Sequence, residues 1–134
     1  MTHKELPDWE KFYQEGLGFH TTVLGSLKRP DIFSPSLVQN VAAMSIEKYF
    51  MAIFMSHGTL PKNHTMADFL EEAENLFPID PELQETLLYM DSLQQICSVE
   101  KFKITAPKAA DVPRFVSAVN QVASLAEKLC PVGG

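Results

Sequence analysis

The chain has 134 residues and a formal net charge of −6, from 11 Lys and Arg against 17 Asp and Glu. A chain of this length is expected to form one domain over residues 1–134, burying about two-thirds of its unfolded surface without disulfides or a structural metal. The hydrophobic fraction of 46% lies in the ordinary globular range, which excludes a disulfide scaffold and a disordered tail.

The first five residues are mostly polar or charged and contain no apolar core of a secretory signal. We therefore expect Cys97 and Cys130 to be free thiols in a cytoplasmic protein. The longest apolar run, residues 41–55, is interrupted by a Glu-Lys pair and is too short to span a bilayer. The sequence therefore predicts no membrane segment.

Proline and glycine divide the chain into five stretches whose apolar residues recur at helical spacing. The predicted helices run from Asp8 to the Arg29–Pro30 pair, from Ser34 to Gly58, from His64 to Pro78, from Asp80 to about Cys97, and from Asp111 to Pro131, with Asp8, Ser34 and Asp111 placed as caps. Short connections favour antiparallel neighbours. We therefore predict an all-α fold, a five-helix up-and-down bundle.

The sequences of the first two helices indicate close helix–helix packing. The first contains Gly16, Gly18 and Gly25, each of which costs about 1 kcal/mol relative to alanine inside a helix. We expect these glycines to allow another backbone to approach closely; a kink is the alternative. The second helix is apolar on nearly every side and must be central or bury a second face in a partner. Together they predict a homodimer with the interface residues Gly16, His20, Phe50 and Phe54.

Charge is distributed unevenly. Residues 63–99 hold eight acids and neither Lys nor Arg, so the third and fourth helices form an acidic hairpin. Nucleic-acid affinity depends on cations that displace counterions from phosphates, so we expect no DNA partner there. We interpret the hairpin as a solvated surface, with a docking site for a basic partner or a metal as the alternatives. The one basic neighbourhood, residues 101–114, is either a soluble loop or a phosphate contact.

Motifs for chemistry are absent from the sequence. It contains no Gly-rich phosphate loop and no G-x-S-x-G, so we predict neither a cofactor nor a catalytic residue. His64, Asp68 and Glu72 recur at four-residue steps, but without a second histidine this row is matched equally by a charged surface, and we predict no metal site. The two cysteines lie on apolar helical faces and are expected to be inert.

The second and third helices carry a more specific pattern. Residues 42–52 read AAMSIEKYFMA, then come Gly58 and Pro61, and His64-Thr65-Met66 precedes Phe69 and Leu70. This stretch resembles the HEPN domain family, in which a small-residue helix with a Glu-Lys pair runs into a Gly-x-x-Pro loop and then a His. The resemblance implies a five-helix up-and-down bundle of the kind that serves nucleotidyltransferases as substrate-binding subunit, and commonly a homodimer.

Active members of that family cleave RNA, often as toxins, with an Arg followed at short spacing by a His near the last helices. This chain has only Arg29 and Arg114, and no His follows His64. The general acid-base group and the cation for the cleaved phosphate are therefore both missing. The resemblance with this departure implies a non-catalytic binding or interaction module, acting with a nucleotide or as partner subunit of a minimal nucleotidyltransferase.

On this interpretation the residues near the nucleotide phosphates would be Lys48, His64, Lys103 and Arg114. The structural alternative is that Glu47 and Lys48 pair within the bundle and that His64 braces the loop. Two other functions stay open at this point. One is a ribonuclease with an atypical site that uses His20 or His64, and the other is a helical protein that retains only the fold.

Overall fold

The computed structural model describes residues 8–93 and 107–130. Within these ranges the chain forms five α-helices and a short 3-10 turn, and no β-strand. The elements are α1 (Trp9–Ser26), α2 (Pro35–Ser56), α3 (Met66–Ala73), α4 (Pro81–Leu93), the 3-10 turn (Ala109–Asp111) and α5 (Val112–Leu129). The prediction of an all-α fold with five helices is confirmed, whereas Cys97 and Lys103 lie outside the described residues.

The ends of α2 follow directly from its sequence. The Ser34 hydroxyl accepts a hydrogen bond from the Leu37 amide at 3.2 Å, and Pro35 occupies the first helical position, where its missing N–H is no loss. After the last turn Gly58 has φ 78, a left-handed conformation that glycine adopts without steric penalty. Both predicted bounds of this helix are therefore confirmed.

Asp8 and Asp111 occupy the predicted N-cap positions of α1 and α5, but neither side chain caps its helix. Asp8 has φ 72 and its side chain makes no capping hydrogen bond to α1. Asp111 does not cap α5 with its side chain; its carboxylate instead accepts from the Lys108 backbone amide at 2.9 Å and from the Tyr89 hydroxyl at 2.8 Å. This carboxylate therefore ties the 3-10 turn to α4.

Helix α2 is the centre of the core, as predicted, and it packs against α1, α3 and α5. Its buried side chains include Tyr49 at 1% exposure and Phe50 and Phe54 at 0%. The Phe69 ring of α3 stacks on Phe50 with a centroid separation of 5.5 Å. Because Phe50 and Phe54 are enclosed by the chain's own helices, they offer no side-chain surface to a second copy, and their assignment to a homodimer interface is corrected to the core.

Gly16 lies in close contact with α2. A Cβ at this position would lie 3.0 Å from Cδ1 of Tyr49, and the Ser45 hydroxyl donates to the Gly16 carbonyl at 2.8 Å. The close-packing explanation therefore holds for Gly16, but the neighbour is a side chain of the same chain. At Gly18 and Gly25 a Cβ would have no neighbour within 4 Å in the described part of the chain.

Contacts between α1 and α2 show that these helices are antiparallel. The Lys48 ammonium lies 5.0 Å from the Phe12 ring centroid, whereas Ser45 bonds to Gly16, so a step forward along α1 is a step back along α2. The helices α3 and α4 are also antiparallel, since Met66 at the start of α3 bonds to Asp91 near the end of α4.

The passage from α2 to α3 departs from the predicted up-and-down order. His64, before α3, bonds to Glu47 at 2.9 Å, and Phe69, inside α3, stacks against Phe50 and approaches Phe54. Both helices therefore run in the same direction. The loop of residues 57–65 is long enough to return alongside α2 before α3 begins, which places this loop against the face of α2 that carries Glu47.

Candidate functional site

Lys48 lies at the edge where α1 meets α2. Its ammonium is 3.2 Å from the Glu15 carboxylate, with side-chain exposures of 29% and 38%. Both belong to an open cavity of about 430 Å³, which is also lined by Gly18, Phe19, Thr22 and Met44. In the structural alternative Glu47 and Lys48 pair within the bundle; in the structure a carboxylate on α1, not Glu47, takes the Lys48 ammonium group.

His64 lies on the α3 side of α2. Its Nδ1 is 2.9 Å from Oε2 of Glu47, and both side chains are exposed to solvent. Its ring meets the Phe69 ring edge-on, with centroids 6.1 Å apart. An exposed hydrogen bond of this kind contributes little stability. The arrangement agrees with the structural alternative in which His64 braces the loop against α2.

The His64 cavity, of about 360 Å³, also includes the start of α3 and Asp91. A helix N-terminus is a ready anion site because its first amides have no partner within the helix. Here the Asp91 carboxylate already accepts from the Met66 and Ala67 amides, each at 2.9 Å. The Thr65 hydroxyl accepts from the Asp68 amide at 3.1 Å. A phosphate would have to displace the chain's own acceptors.

Arg114, near the start of α5, lies over the Tyr89 ring at 4.8 Å from its centroid. The hydrogen bond to Asp111 raises the pKa of the Tyr89 hydroxyl. Hydrogen bonding from the Lys108 amide, and further from Tyr89, lowers the pKa of the Asp111 carboxyl. The adjoining open cavity of about 530 Å³ also contains Glu82 and Glu85. Arg114 therefore faces carboxylates and an aromatic ring.

The structure does not bring the predicted phosphate contacts together. Lys48, His64 and Arg114 line three cavities that share no residue, and each lies close to at least one carboxylate. Lys103 lies outside the described residues. Within the described ranges these residues do not combine into one phosphate site. Lys48 and His64 would also have to exchange a carboxylate partner for a ligand anion.

A partly exposed polar network that the sequence did not predict joins α1, α2 and α5. His20 Nε2 lies 2.8 Å from Oδ1 of Asn120, and His20 Nδ1 lies 3.1 Å from the Tyr49 hydroxyl. Since the Asn120 oxygen only accepts, a neutral His20 carries its proton on Nε2 and accepts from Tyr49 at Nδ1. Burial raises the pKa of Tyr49 to about 12. Of the alternatives for His20, this matches a histidine that serves packing.

Three further expectations from the sequence concern a metal site, the reactivity of the cysteines and a membrane-spanning helix. Among residues 8–93 and 107–130, no group of three or more His, Cys, Asp or Glu side chains is placed to hold a metal ion. Cys130 is buried, which raises the pKa of its thiol to about 11 and keeps it protonated near neutral pH. None of the helices in these ranges is both long and apolar enough to cross a membrane.

Comparisons with known proteins do not assign this chain to a family. No protein-family model matches this sequence, and searches of curated proteins and of solved structures find no match. The resemblance to HEPN domains therefore rests on the residues of the second and third helices alone.

Proposed function

We propose that this chain is a non-catalytic interaction module that pairs with a second copy of itself through the edge between α1 and α2. The surface concerned, called the edge patch below, consists of Gly18, Phe19, Thr22, Leu37 and Met44. The exposure of its two large α2 side chains carries the proposal, since Met44 is 43% and Leu37 39% exposed. They lie seven residues apart, on one face of α2.

Gly18 supports a close contact at this edge. A glycine inside a helix costs about 1 kcal/mol relative to alanine, and packing against Tyr49 accounts for that cost at Gly16. At Gly18 a Cβ would meet nothing within 4 Å among the residues that the structure describes. A bare backbone beside exposed apolar side chains allows another helix to approach more closely than an alanine would.

Charge at the edge favours a second copy as the partner. Lys48 and Glu15 border the patch and are both partly exposed. A two-fold axis through the patch would bring Lys48 of each copy towards Glu15 of the other, so that the surface is complementary to itself. The apolar side chains of the two patches would then meet between the charge pairs.

A nucleotide is less well supported as the ligand. The candidate phosphate contacts lie in separate cavities with carboxylates close by, and the chain carries a net charge of −6. The missing Arg and His of the ribonuclease motif support a role without catalysis. The resemblance to the HEPN family is consistent with a homodimer, and a minimal nucleotidyltransferase would then be a partner of that dimer.

Native mass spectrometry on the untagged chain tests this proposal. We expect a species of twice the 15.0 kDa chain mass, stable at concentrations of about 10–50 µM. Met44→Glu should weaken the pairing at least about 100-fold, because a two-fold contact would bury two new charges. Leu88→Glu is the matched control, since Leu88 is 47% exposed on α4, outside the patch.

A wild-type monomer at about 50 µM would refute the homodimer. Equal dissociation by Met44→Glu and Leu88→Glu would place the contact elsewhere. A chain that carries the added mass of a nucleotide after gentle purification would instead support the nucleotide-binding alternative, and Lys48→Ala and Arg114→Ala would then show which cavity holds it.

A further inference from the structure

A groove lies where the chain turns from α3 into α4. It is an open cavity of about 510 Å³, and its apolar lining consists of Leu70, Leu76, Phe77, Pro78 and Ile79, with Glu74, Asn75 and Gln84 completing the wall. This size is in the range of pockets that hold a ligand or an anchoring side chain. The surface is called the turn groove below, and it shares no residue with the edge patch.

The turn groove is held in shape by the chain itself. The amides of Leu76 and Phe77 both donate to the Ala73 carbonyl, at 2.8 Å and 3.0 Å. On the other side the Gln84 amide group donates to the Ile79 carbonyl at 2.9 Å. Leu76, Phe77 and Ile79 are half-buried and pack against the core with part of their surface. An occupant would therefore meet a preformed apolar surface.

Glu74 gives the rim of this groove a charge that the fold does not use. It is the C-terminal cap of α3, and the last turn of that helix contains no basic residue. The carbonyl end of a helix favours a cation, so a carboxylate there is unfavourable in the chain alone. The Glu74 backbone amide donates to the Leu70 carbonyl at 3.1 Å, but no described residue forms a hydrogen bond or an ion pair with its carboxylate. By contrast, Asp80 and Glu82 flank the start of α4, where negative charge is favourable.

No Lys or Arg within the hairpin can neutralise the Glu74 carboxylate, because residues 63–99 contain neither. The nearest described ion pair on α3 joins Glu71 to Lys62 at 3.9 Å, and both side chains are well exposed. Among the described residues, the Glu74 carboxylate is therefore the one charged group that lines this otherwise apolar and amide-walled groove. Nucleic acids and other anionic ligands are repelled by such a rim, whereas a cationic segment with an apolar side chain matches it in both respects.

We infer that the turn groove docks a basic segment of a partner protein. One apolar side chain of that segment enters the cavity between Leu76 and Ile79, and a Lys or Arg next to it takes the position at the end of α3, against Glu74 and the last carbonyls. This contact is independent of the pairing through the edge patch, so either can exist without the other.

A binding experiment with a defined probe tests this inference. The probe is a fluorescein-labelled amphipathic peptide made only of Leu and Lys, and its counterpart replaces every Lys by Glu. We expect the Leu/Lys peptide to bind the full chain in low salt and Glu74→Lys to weaken that binding about tenfold or more. Asp31→Lys is the matched control: it makes the same charge change at an exposed loop position before α2 and should weaken binding less than about threefold.

Amide chemical shifts measured during the titration locate the peptide. We expect the largest changes at Glu74, Leu76 and Gln84, and none at Met44. Equal weakening by Glu74→Lys and Asp31→Lys would show attraction by net charge alone and would overturn the inference. Absence of binding up to about 1 mM peptide in low salt, or equal binding of the Leu/Glu peptide, would also overturn it. None of these results changes the mass measurement that tests self-association.

Discussion

Replacing Gly16 and Gly25 by alanine, one at a time, should change stability in opposite directions although both glycines lie in α1. Alanine is favoured over glycine inside a helix by about 1 kcal/mol. At Gly25 no described residue opposes this gain, because a Cβ there would have no neighbour within 4 Å in ranges 8–93 and 107–130. At Gly16 the Cβ would lie 3.0–3.2 Å from three ring carbons of Tyr49, and overpacking of this kind costs about 1–3 kcal/mol.

The Tyr49 ring has little freedom to move away. It is 1% exposed, its hydroxyl is bonded to His20 at 3.1 Å, and its ring packs edge-on against Tyr13 with centroids 5.7 Å apart. We therefore expect Gly16→Ala to lower the free energy of unfolding by up to about 2 kcal/mol, and Gly25→Ala to raise it by about 0.5–1 kcal/mol.

Urea unfolding followed by circular dichroism measures both changes, and thermal unfolding should separate the variants by several degrees, at about 3–6 °C per kcal/mol for a domain of this size. A double-mutant cycle with Tyr49→Leu isolates the contact, since the penalty of Gly16→Ala should disappear once the ring is gone. If Gly16→Ala proves as stable as Gly25→Ala, the contact between α1 and α2 is not tight, and the explanation given for Gly16 is wrong.

Two further predictions concern carboxylates that join elements. Asp91→Ala removes the acceptor of the Met66 and Ala67 amides and should lower the free energy of unfolding by about 1–2 kcal/mol in urea; a loss no larger than that of the neighbouring Ser92→Ala would contradict this. The Asp111 pKa is lower in the folded chain than its ordinary value, because the Lys108 amide donates to it. Its contribution to stability is therefore complete above the ordinary aspartate pKa of about 4 and is lost as the pH falls through the lower folded pKa. The stability difference between wild type and Asp111→Asn should shrink when urea unfolding is repeated near pH 2.5 instead of pH 6, and a difference independent of pH would be the contrary result.

Much of the helical framework could be predicted from local signals. Ser34–Pro35 and Gly58 define α2 because capping, a fixed φ and left-handed backbone act within a few residues. The direction of α3 could not be predicted in this way. A connection between consecutive helices favours antiparallel packing only when it is short. The loop of residues 57–65 is long enough to run back along α2, so that α3 starts beside the middle of α2 and runs parallel to it.

The candidate site was less predictable, because residues adjacent in a helix are not adjacent on its surface. Successive side chains on α2 point about 100° apart, so Glu47 and Lys48, which stand together in the sequence pattern, face different neighbours: Glu47 bonds to His64 and Lys48 to Glu15. A motif read as one site thus divides between two cavities. The composition of residues 63–99 indicated an acidic hairpin. Only the structure of the turn after α3 shows which carboxylate lies at the carbonyl end of its helix, where negative charge is unfavourable, and also borders an apolar groove. Glu74 therefore makes the strongest case for a partner on that side of the molecule.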